Sequence, residues 1–333
     1  MARAQKLIRL LGHGFMPALV LSLCACANLP DKSDVAIGKE RFEYSLRGTG
    51  APVVVFEAGL GDGMDSWAPI YNDVAAYTAV FAYDRRGYGE SGKPVGALKM
   101  SGIGVIVKAI GEEVVDAVIP AASTVVDLGL LAARSTKTPV PRSGATIVAE
   151  LHAVLKKADV QPPYVLVGHS LGGLYLSLYA RTYPEEVAGL ILLDATHPEQ
   201  IERCQLYLPA ERCDPAHFPW WAKTLISMGP EVPKAEMAGA AETGRQIRAA
   251  GPLPNIPLVV LSRGKSPVGE SDREQMWTAL QRDLVNQSPR GTHIIARQSG
   301  HYIQKDEPEL VIQTIKDLVM QVRQGHMVMG IPK

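Results

Sequence analysis

The feature that most constrains this chain is a serine between a short apolar run and an apolar helical pattern. Residues 164–167 have the composition of a buried strand, and residues 171–183 repeat apolar side chains at helical spacing. Residues 168–172 form a G-x-S-x-G motif in the strand–turn–helix context that this motif requires. Its glycines allow a sharp turn, and the following helix points its positive end at the serine. The pattern predicts Ser170 as a nucleophile, with the Leu171 N–H facing an oxyanion.

From residue 52 onward, short apolar runs alternate with helical patterns. Such alternation favours a parallel sheet with helices on its faces. We therefore predict an α/β fold with a mostly parallel central sheet flanked by helices, and an antiparallel edge strand over residues 37–46. The predicted core strands are 52–56, 79–83, 164–167, 190–193, 257–261 and 292–296, and the predicted helices are 67–77, 145–157, 171–183 and 308–322.

Two stretches interrupt this alternation, residues 95–142 and residues 196–255. Both leave from the carboxyl ends of predicted strands, where open α/β sheets place their ligand crevices. We predict that they form a helical cap over the site, with plain surface helices as the alternative. The first stretch is amphipathic, which leaves contact with a membrane surface as a further hypothesis. The second holds aromatic residues that favour an apolar or aromatic substrate: Tyr207, Phe218, Trp220 and Trp221.

The first 25 residues have the organisation of an export signal. Basic residues precede an apolar run at 15–23 that is too short to span a membrane. Cys26 ends a pattern that resembles a lipobox, whereas residues 25–27 fit the A-x-A pattern of ordinary signal peptidase. We predict a lipid-carrying Cys26 followed by a tether over residues 26–36, with ordinary cleavage or an uncleaved helix as alternatives. The expected location is the periplasm or, through the lipid anchor, the outer membrane, with secretion as the alternative.

Charge and cysteine positions limit the classes of partner. The chain has 34 Lys and Arg and 34 Asp and Glu, and no basic run favours nucleic acid as a partner. Cys204 and Cys213 lie close together in sequence, and an oxidising compartment favours a disulfide between them; two free thiols are the alternative. No spacing of cysteine or histidine resembles a zinc site, so we expect neither a metal nor an organic cofactor.

Around its G-x-S-x-G motif, the chain resembles the α/β-hydrolase superfamily over residues 37–324, which leaves a tail at 325–333. Three more blocks carry the resemblance in the superfamily's order. They are the Glu-Ala-Gly-Leu-Gly run at 57–61, the charged turn at 83–92 and the Ser-Gly-His run at 299–301. The resemblance implies the α/β-hydrolase fold and a serine nucleophile. The charges of the second block are expected to brace their turn.

The resemblance also implies a second oxyanion donor and a general base. Leu60 N–H takes the donor position, although the chain has Glu57-Ala58 where many members carry His-Gly. His301 follows the last predicted strand, as the superfamily's general base does. A neutral imidazole there would take the proton of Ser170 and pass it to the leaving group.

The third member of the triad is less defined by the sequence. Superfamily members place an acid after the strand that follows the nucleophile helix, or after the next strand. Asp194 directly ends the first of these strands, and it keeps the order Ser, Asp, His. The second strand leads to a run without a carboxylate, so that Glu270 and Asp272 are the alternative acids.

The expected activity is hydrolysis of a small-molecule ester through an acyl-enzyme. A peptidase, thioesterase, C–C bond hydrolase or acyltransferase would use the same triad, and the fold does not decide among them. A different class is a lipid-anchored binding protein that keeps the fold without turnover. The sequence leaves the oligomeric state open.

Overall fold

The computed structural model describes residues 28–93, 140–214, 217, 220, 229–265 and 271–328. The predictions for residues 1–27, for residues 95–139, and for Phe218, Trp221 and Glu270 lie outside these ranges. Within them, one eight-stranded sheet forms the centre of the molecule. Its strands are β1 (Lys32–Ile37), β2 (Glu40–Arg47), β3 (Val53–Glu57), β4 (Val80–Tyr83), β5 (Tyr164–His169), β6 (Val187–Leu193), β7 (Leu258–Arg263) and β8 (Gly291–Ala296).

The strands lie in the order β1-β2-β4-β3-β5-β6-β7-β8. Strand β2 is antiparallel to both of its neighbours, and every pair from β4 to β8 is parallel. This arrangement confirms the predicted α/β class, and each of the six predicted core strands overlaps an observed one. Short runs of β-branched and other apolar residues make these strands, because both faces of a parallel sheet are buried.

The amino-terminal edge of the sheet differs from the prediction. Residues 40–47 form an inner antiparallel strand, whereas the edge position belongs to β1, which lies mostly in the predicted tether at 26–36. The tether prediction is therefore wrong for residues 32–36. Polar residues make up half of β1, and its side chains are exposed or half-buried. An edge strand of this kind lacks the apolar pattern by which a strand is recognised.

Helices cover both faces of the sheet. One apolar core lies between the sheet and α2, α3 and α6, and a second core lies between the opposite face and α1 and α9. The helices are α1 (Ala68–Ala75), α2 (Gly144–Lys157), α3 (Leu171–Thr182), α4 (Gln200–Cys204), α5 (Ala210–Cys213), α6 (Glu231–Ala249), α7 (Ser271–Val285), α8 (Ile303–Asp306) and α9 (Pro308–Val328), with 3₁₀ turns at Met64–Trp67 and Pro184–Glu186. None of these described helices is long and apolar enough to cross a membrane.

The described part of the second insertion is helical and comprises α4, α5 and α6. A disulfide joins Cys204 to Cys213, as predicted, and Cys204 packs with Trp277 of α7. Helix α6 packs on α2 and α3, where the hydroxyl of Thr243 accepts a hydrogen bond from the Gly144 N–H (2.8 Å). The insertion is thus fixed to the body of the domain at both ends.

The sheet order creates a crevice at the carboxyl end of its centre. From β3 the chain adds β4 on one side and then crosses to add β5 on the other. A reversal of this kind separates the connections that follow the two strands and leaves a crevice between them. Strands β3 and β5 pair directly there, with Glu57 opposite Gly168. The two segments that leave this point are residues 58–61 and the G-x-S-x-G turn.

Candidate active site

Ser170 lies at the turn between β5 and α3 in a backbone conformation that few residues other than glycine adopt. Its φ is 51° and its ψ is −121°. The turn is held from both sides, because the Ser170 N–H donates to the Leu193 carbonyl (3.0 Å) and the Ser170 carbonyl accepts from the Thr196 N–H (3.0 Å). Strain of this kind persists only where the surrounding structure imposes it, and it is typical of a functional position.

The two glycines of the motif allow two different close approaches. A Cβ on Gly168 would lie 2.6 Å from the Cα of Gly173 across the turn. A Cβ on Gly172 would instead lie 2.3 Å from the carbonyl oxygen of Glu57. The first turn of α3 therefore packs directly against the segment that carries Leu60.

The two predicted oxyanion donors lie on these neighbouring segments. Leu60 belongs to the loop after β3, and Leu171 is the first residue of α3. Within the described part of the chain, neither N–H donates a hydrogen bond to another group. Both donors are thus available to a bound oxygen, and the partial positive charge at the start of α3 favours an anionic one.

The predicted base and the favoured acid meet directly. The Nδ1 of His301 lies 2.7 Å from the Oδ2 of Asp194. Asp194 directly follows β6 and is fully buried, while His301 lies between β8 and α8. Of the alternative acids, Glu270 lies outside the described residues. Asp272 is exposed and accepts a hydrogen bond from Ser271 (3.4 Å). The structure therefore pairs His301 with Asp194.

Three further donors hold the Asp194 carboxylate. Oδ1 accepts from the Trp277 Nε1–H (2.7 Å) and the Arg263 backbone N–H (3.1 Å), and Oδ2 accepts from the Arg263 guanidinium (2.9 Å). Burial alone would raise the pKa of Asp194, but the hydrogen bond and charge of His301, with Arg263 and Trp277, lower it to about 2. Sequence reasoning found neither Arg263 nor Trp277, although Arg263 stands at the end of β7, where the superfamily's alternative acid would be.

His169 is a third residue that sequence reasoning missed. Its Nε2 lies 3.0 Å from the backbone carbonyl of His301, and the two rings are 4.6 Å apart. Because a carbonyl only accepts, Nε2 carries the proton. Burial lowers the pKa of His169 to about 3, so the ring is neutral at ordinary pH. This hydrogen bond ties the backbone of His301 to the turn that carries Ser170. The motif allows any residue at its position, so nothing in the motif predicts this role.

A buried cluster of charges lies beneath the loop of Leu60. The Arg85 guanidinium donates to Glu57 (2.7 Å) and, through two nitrogens, to Glu236 of α6 (2.9 Å each). It also donates to the carbonyls of Ala58 (2.7 Å) and Gly59 (2.9 Å). Burial raises the pKa of Glu57, and the charge of Arg85 opposes that rise. Glu57, which departs from the superfamily's pattern, therefore serves as a partner of Arg85.

Other charges of the 83–92 turn brace it, as expected. The Asp84 carboxylate accepts from the Met64 N–H (2.7 Å), and Glu90 pairs with Arg41 (2.6 Å). As to metals, no group of three or more His, Cys, Asp or Glu side chains is placed to hold an ion within the described ranges.

The strained serine and the contact between half-buried His301 and buried Asp194 are consistent with the comparisons. Residues 52–235 match the model of the alpha/beta hydrolase fold family, and the chain belongs to this family. A relative from Bacillus subtilis (strain 168), YqjL, is 27% identical over 276 residues, which cover 82% of this chain and 85% of YqjL.

Solved structures share the fold. A thermophilic esterase from Thermogutta terrifontis aligns with a TM-score of 0.52 at 17% identity and covers 87% of this chain and 98% of its own. The enol-lactonase from Burkholderia xenovorans LB400 aligns with a TM-score of 0.52 at 14% identity, over 86% of this chain and all of its own (100%).

The first prediction concerns the buried charge cluster. Arg85→Met leaves Glu57 buried without a cation and Glu236 with Arg142 alone (3.2 Å), and we expect it to lower the free energy of unfolding by about 3–5 kcal/mol. Arg86→Met is the matched control, since its half-exposed side chain pairs with Glu40 (2.7 Å) and with Glu150 (3.0 Å), which keeps its pair with Arg142; we expect a loss of at most about 1 kcal/mol. Urea denaturation measures both, and equal losses would contradict the assignment.

The second prediction concerns the acid. Asp194→Asn keeps the shape of the side chain but removes the charge that stabilises protonated His301, so we expect kcat to fall by about 10³–10⁴-fold. Asp272→Asn removes the same charge from an exposed position, and we expect it to retain full turnover of a chromogenic ester. Full activity of the Asp194 variant, or inactivity of the Asp272 variant, would show that Asp194 is not the acid.

Proposed function

We propose that the chain is a serine hydrolase that cleaves carboxylic esters through an acyl-enzyme. The observation that carries the proposal is the 2.7 Å contact between His301 Nδ1 and Asp194 Oδ2. It joins the segments after two strands of the sheet, beside the strand end that presents Ser170. A G-x-S-x-G turn that arises by chance would have no histidine–aspartate pair beside it. The contact uses Nδ1 and leaves Nε2 for the serine hydroxyl, as the triad requires.

In this proposal each group has one task. His301 Nε2 removes the proton of Ser170 as its Oγ attacks the ester carbonyl, and the N–H groups of Leu60 and Leu171 hold the oxyanion. The protonated imidazole then gives its proton to the departing alkoxide, which leaves an acyl group on Ser170. A water molecule releases the acid by the same route. Asp194 stays ionised throughout, in keeping with a pKa of about 2.

Two observations support the proposed substrate class, the first for its apolar character and the second for the ester bond. The second insertion brings apolar side chains such as Leu206 and Tyr207 to the surface, which favours apolar or aromatic substrates. Two structural neighbours are named as an esterase and an enol-lactonase. Amide, thioester and C–C substrates would use the same triad and belong in the same panel of substrates. A binding protein without turnover is the alternative of a different class.

The third prediction tests the nucleophile. We expect a fluorophosphonate probe to label the wild-type chain on Ser170, and Ser170→Ala to abolish both labelling and hydrolysis of p-nitrophenyl esters of graded length. Ser177→Ala, a buried serine two turns further along α3, is the matched control and should keep both. Peptide mapping by mass spectrometry identifies the labelled residue. Absence of label from folded wild type, with no ester hydrolysed, would favour the binding protein.

We also propose that the protein is exported as a lipoprotein with Cys26 as its lipid-carrying residue. The Cys204–Cys213 disulfide supports an oxidising compartment. The fourth prediction is that metabolically supplied palmitate labels the expressed chain, that Cys26→Ser abolishes the label, and that the control Cys24→Ser keeps it. A label that persists in Cys26→Ser would contradict lipidation at this residue, and an unlabelled but processed wild type would indicate ordinary cleavage.

A further inference from the structure

We propose that Arg263, counterbalanced by Glu274, is a positioning residue that sets the pH range in which His301 acts as a base. The inference rests on the proposed function, because it assigns to Arg263 an effect on the triad. Of the two strand ends at which the superfamily carries its acid, β6 bears Asp194, and β7 bears a cation that binds it.

The geometry makes Arg263 and His301 compete for one oxygen. Oδ2 of Asp194 accepts from His301 Nδ1 at 2.7 Å and from the Arg263 guanidinium at 2.9 Å. The side chain of Asp194 is 0% exposed and that of Arg263 is 5% exposed, so water screens their interaction little. The carboxylate that would stabilise an imidazolium is therefore already paired with a permanent cation.

A fixed positive charge at this place has a definite effect on His301. Protonation of the imidazole would put a second cation on the same carboxylate, and repulsion between the two cations opposes it. The repulsion favours the neutral imidazole, which is the form that can accept the proton of Ser170.

Glu274 limits this effect. Its carboxylate lies 3.1 Å from the second terminal nitrogen of Arg263, and its side chain is 21% exposed. With His301 protonated, the four groups contain two cations and two anions. Loss of Glu274 would remove a negative charge that partly offsets the positive charge of Arg263. Loss of Arg263 would leave His301 as the only charged partner of Asp194 among these four groups. The two losses therefore shift the protonation of His301 in opposite directions.

Trp277 keeps the cation in place. The Arg263 guanidinium carbon lies 4.7 Å from the centre of the Trp277 ring, and the same ring donates its N–H to Asp194. A guanidinium stacked on an indole loses most of its freedom to leave the carboxylate. The arrangement is therefore a preformed one, and the charge of Arg263 acts on His301 at every stage of the reaction.

Other titratable groups also lie around His301. His169 packs on the His301 ring and is neutral. The Tyr302 ring lies 5.6 Å from the His301 ring, and the ammonium group of Lys305 lies over the Tyr302 ring. Asp306 accepts from the Gly300 N–H (2.8 Å). These groups are the same in every variant compared, so a difference between variants reports the change at position 263 or 274.

The fifth prediction uses the pH dependence of labelling by a fluorophosphonate probe, which needs no natural substrate. We expect Arg263→Gln to raise the midpoint of the acid limb by about 0.5–1 pH unit and Glu274→Gln to lower it by about half as much. Arg263→Lys keeps the charge and should retain the wild-type midpoint even if its rate falls. Asp272→Asn, the exposed neighbour on α7, is the control and should leave the midpoint unchanged.

A merely structural role would lower rates without opposite shifts of the midpoint. Midpoints that stay in place, or that move in the same direction in the Arg263→Gln and Glu274→Gln proteins, would overturn the inference and leave the proposed function intact. If Arg263→Gln does not fold, Glu274→Gln alone decides, and an unchanged or raised midpoint overturns the inference. A wild-type chain that is labelled at no pH would overturn the proposed function, and this inference with it.

Discussion

The ionised carboxylate of Asp194 is fully buried, and the rest of the site depends on the groups that keep it there. Removal of a carboxylate from water costs several kcal/mol unless hydrogen bonds and opposite charge replace the solvent. His301, Arg263 and Trp277 supply this replacement from three separate segments. A side chain that these segments share at hydrogen-bonding distance also fixes their relative positions. The Asp194 carboxylate is thus a junction between the end of β6, β7, α7 and the loop before α8.

A second buried cluster, around Arg85, fixes the position of the loop that carries Leu60. Arg85 joins the loop that carries Leu60 to Glu57 of β3 and to Glu236 of α6. The second insertion is therefore connected to the oxyanion side of the site through buried charges, which tolerate little displacement. One charged junction thus surrounds Asp194, and the other lies beneath the loop of Leu60.

The parts of this arrangement that sequence patterns predicted are those with a local signature. Ser170 lies in a strand–turn–helix motif, and His301 follows a glycine after the last apolar strand. Asp194 was favoured by chain order, although that argument left other acids open. The role of Arg263 depends on which strands are neighbours, and β7 pairs with β6 only through the sheet order. The same holds for β1. Its position at the edge of the sheet is set by its pairing with β2, because its polar residues form no apolar pattern.

We propose that Ser170, His301 and the two N–H groups act on one reacting centre. A crystal structure of the protein after reaction with a fluorophosphonate would show whether they do. We expect phosphorus bonded to Ser170 Oγ, and one phosphoryl oxygen about 3 Å from both the Leu60 and the Leu171 nitrogens. His301 Nε2 should lie within hydrogen-bonding distance of the adduct, with Nδ1 still on Asp194. An adduct on another residue, or a phosphoryl oxygen turned away from both N–H groups, would rule this arrangement out.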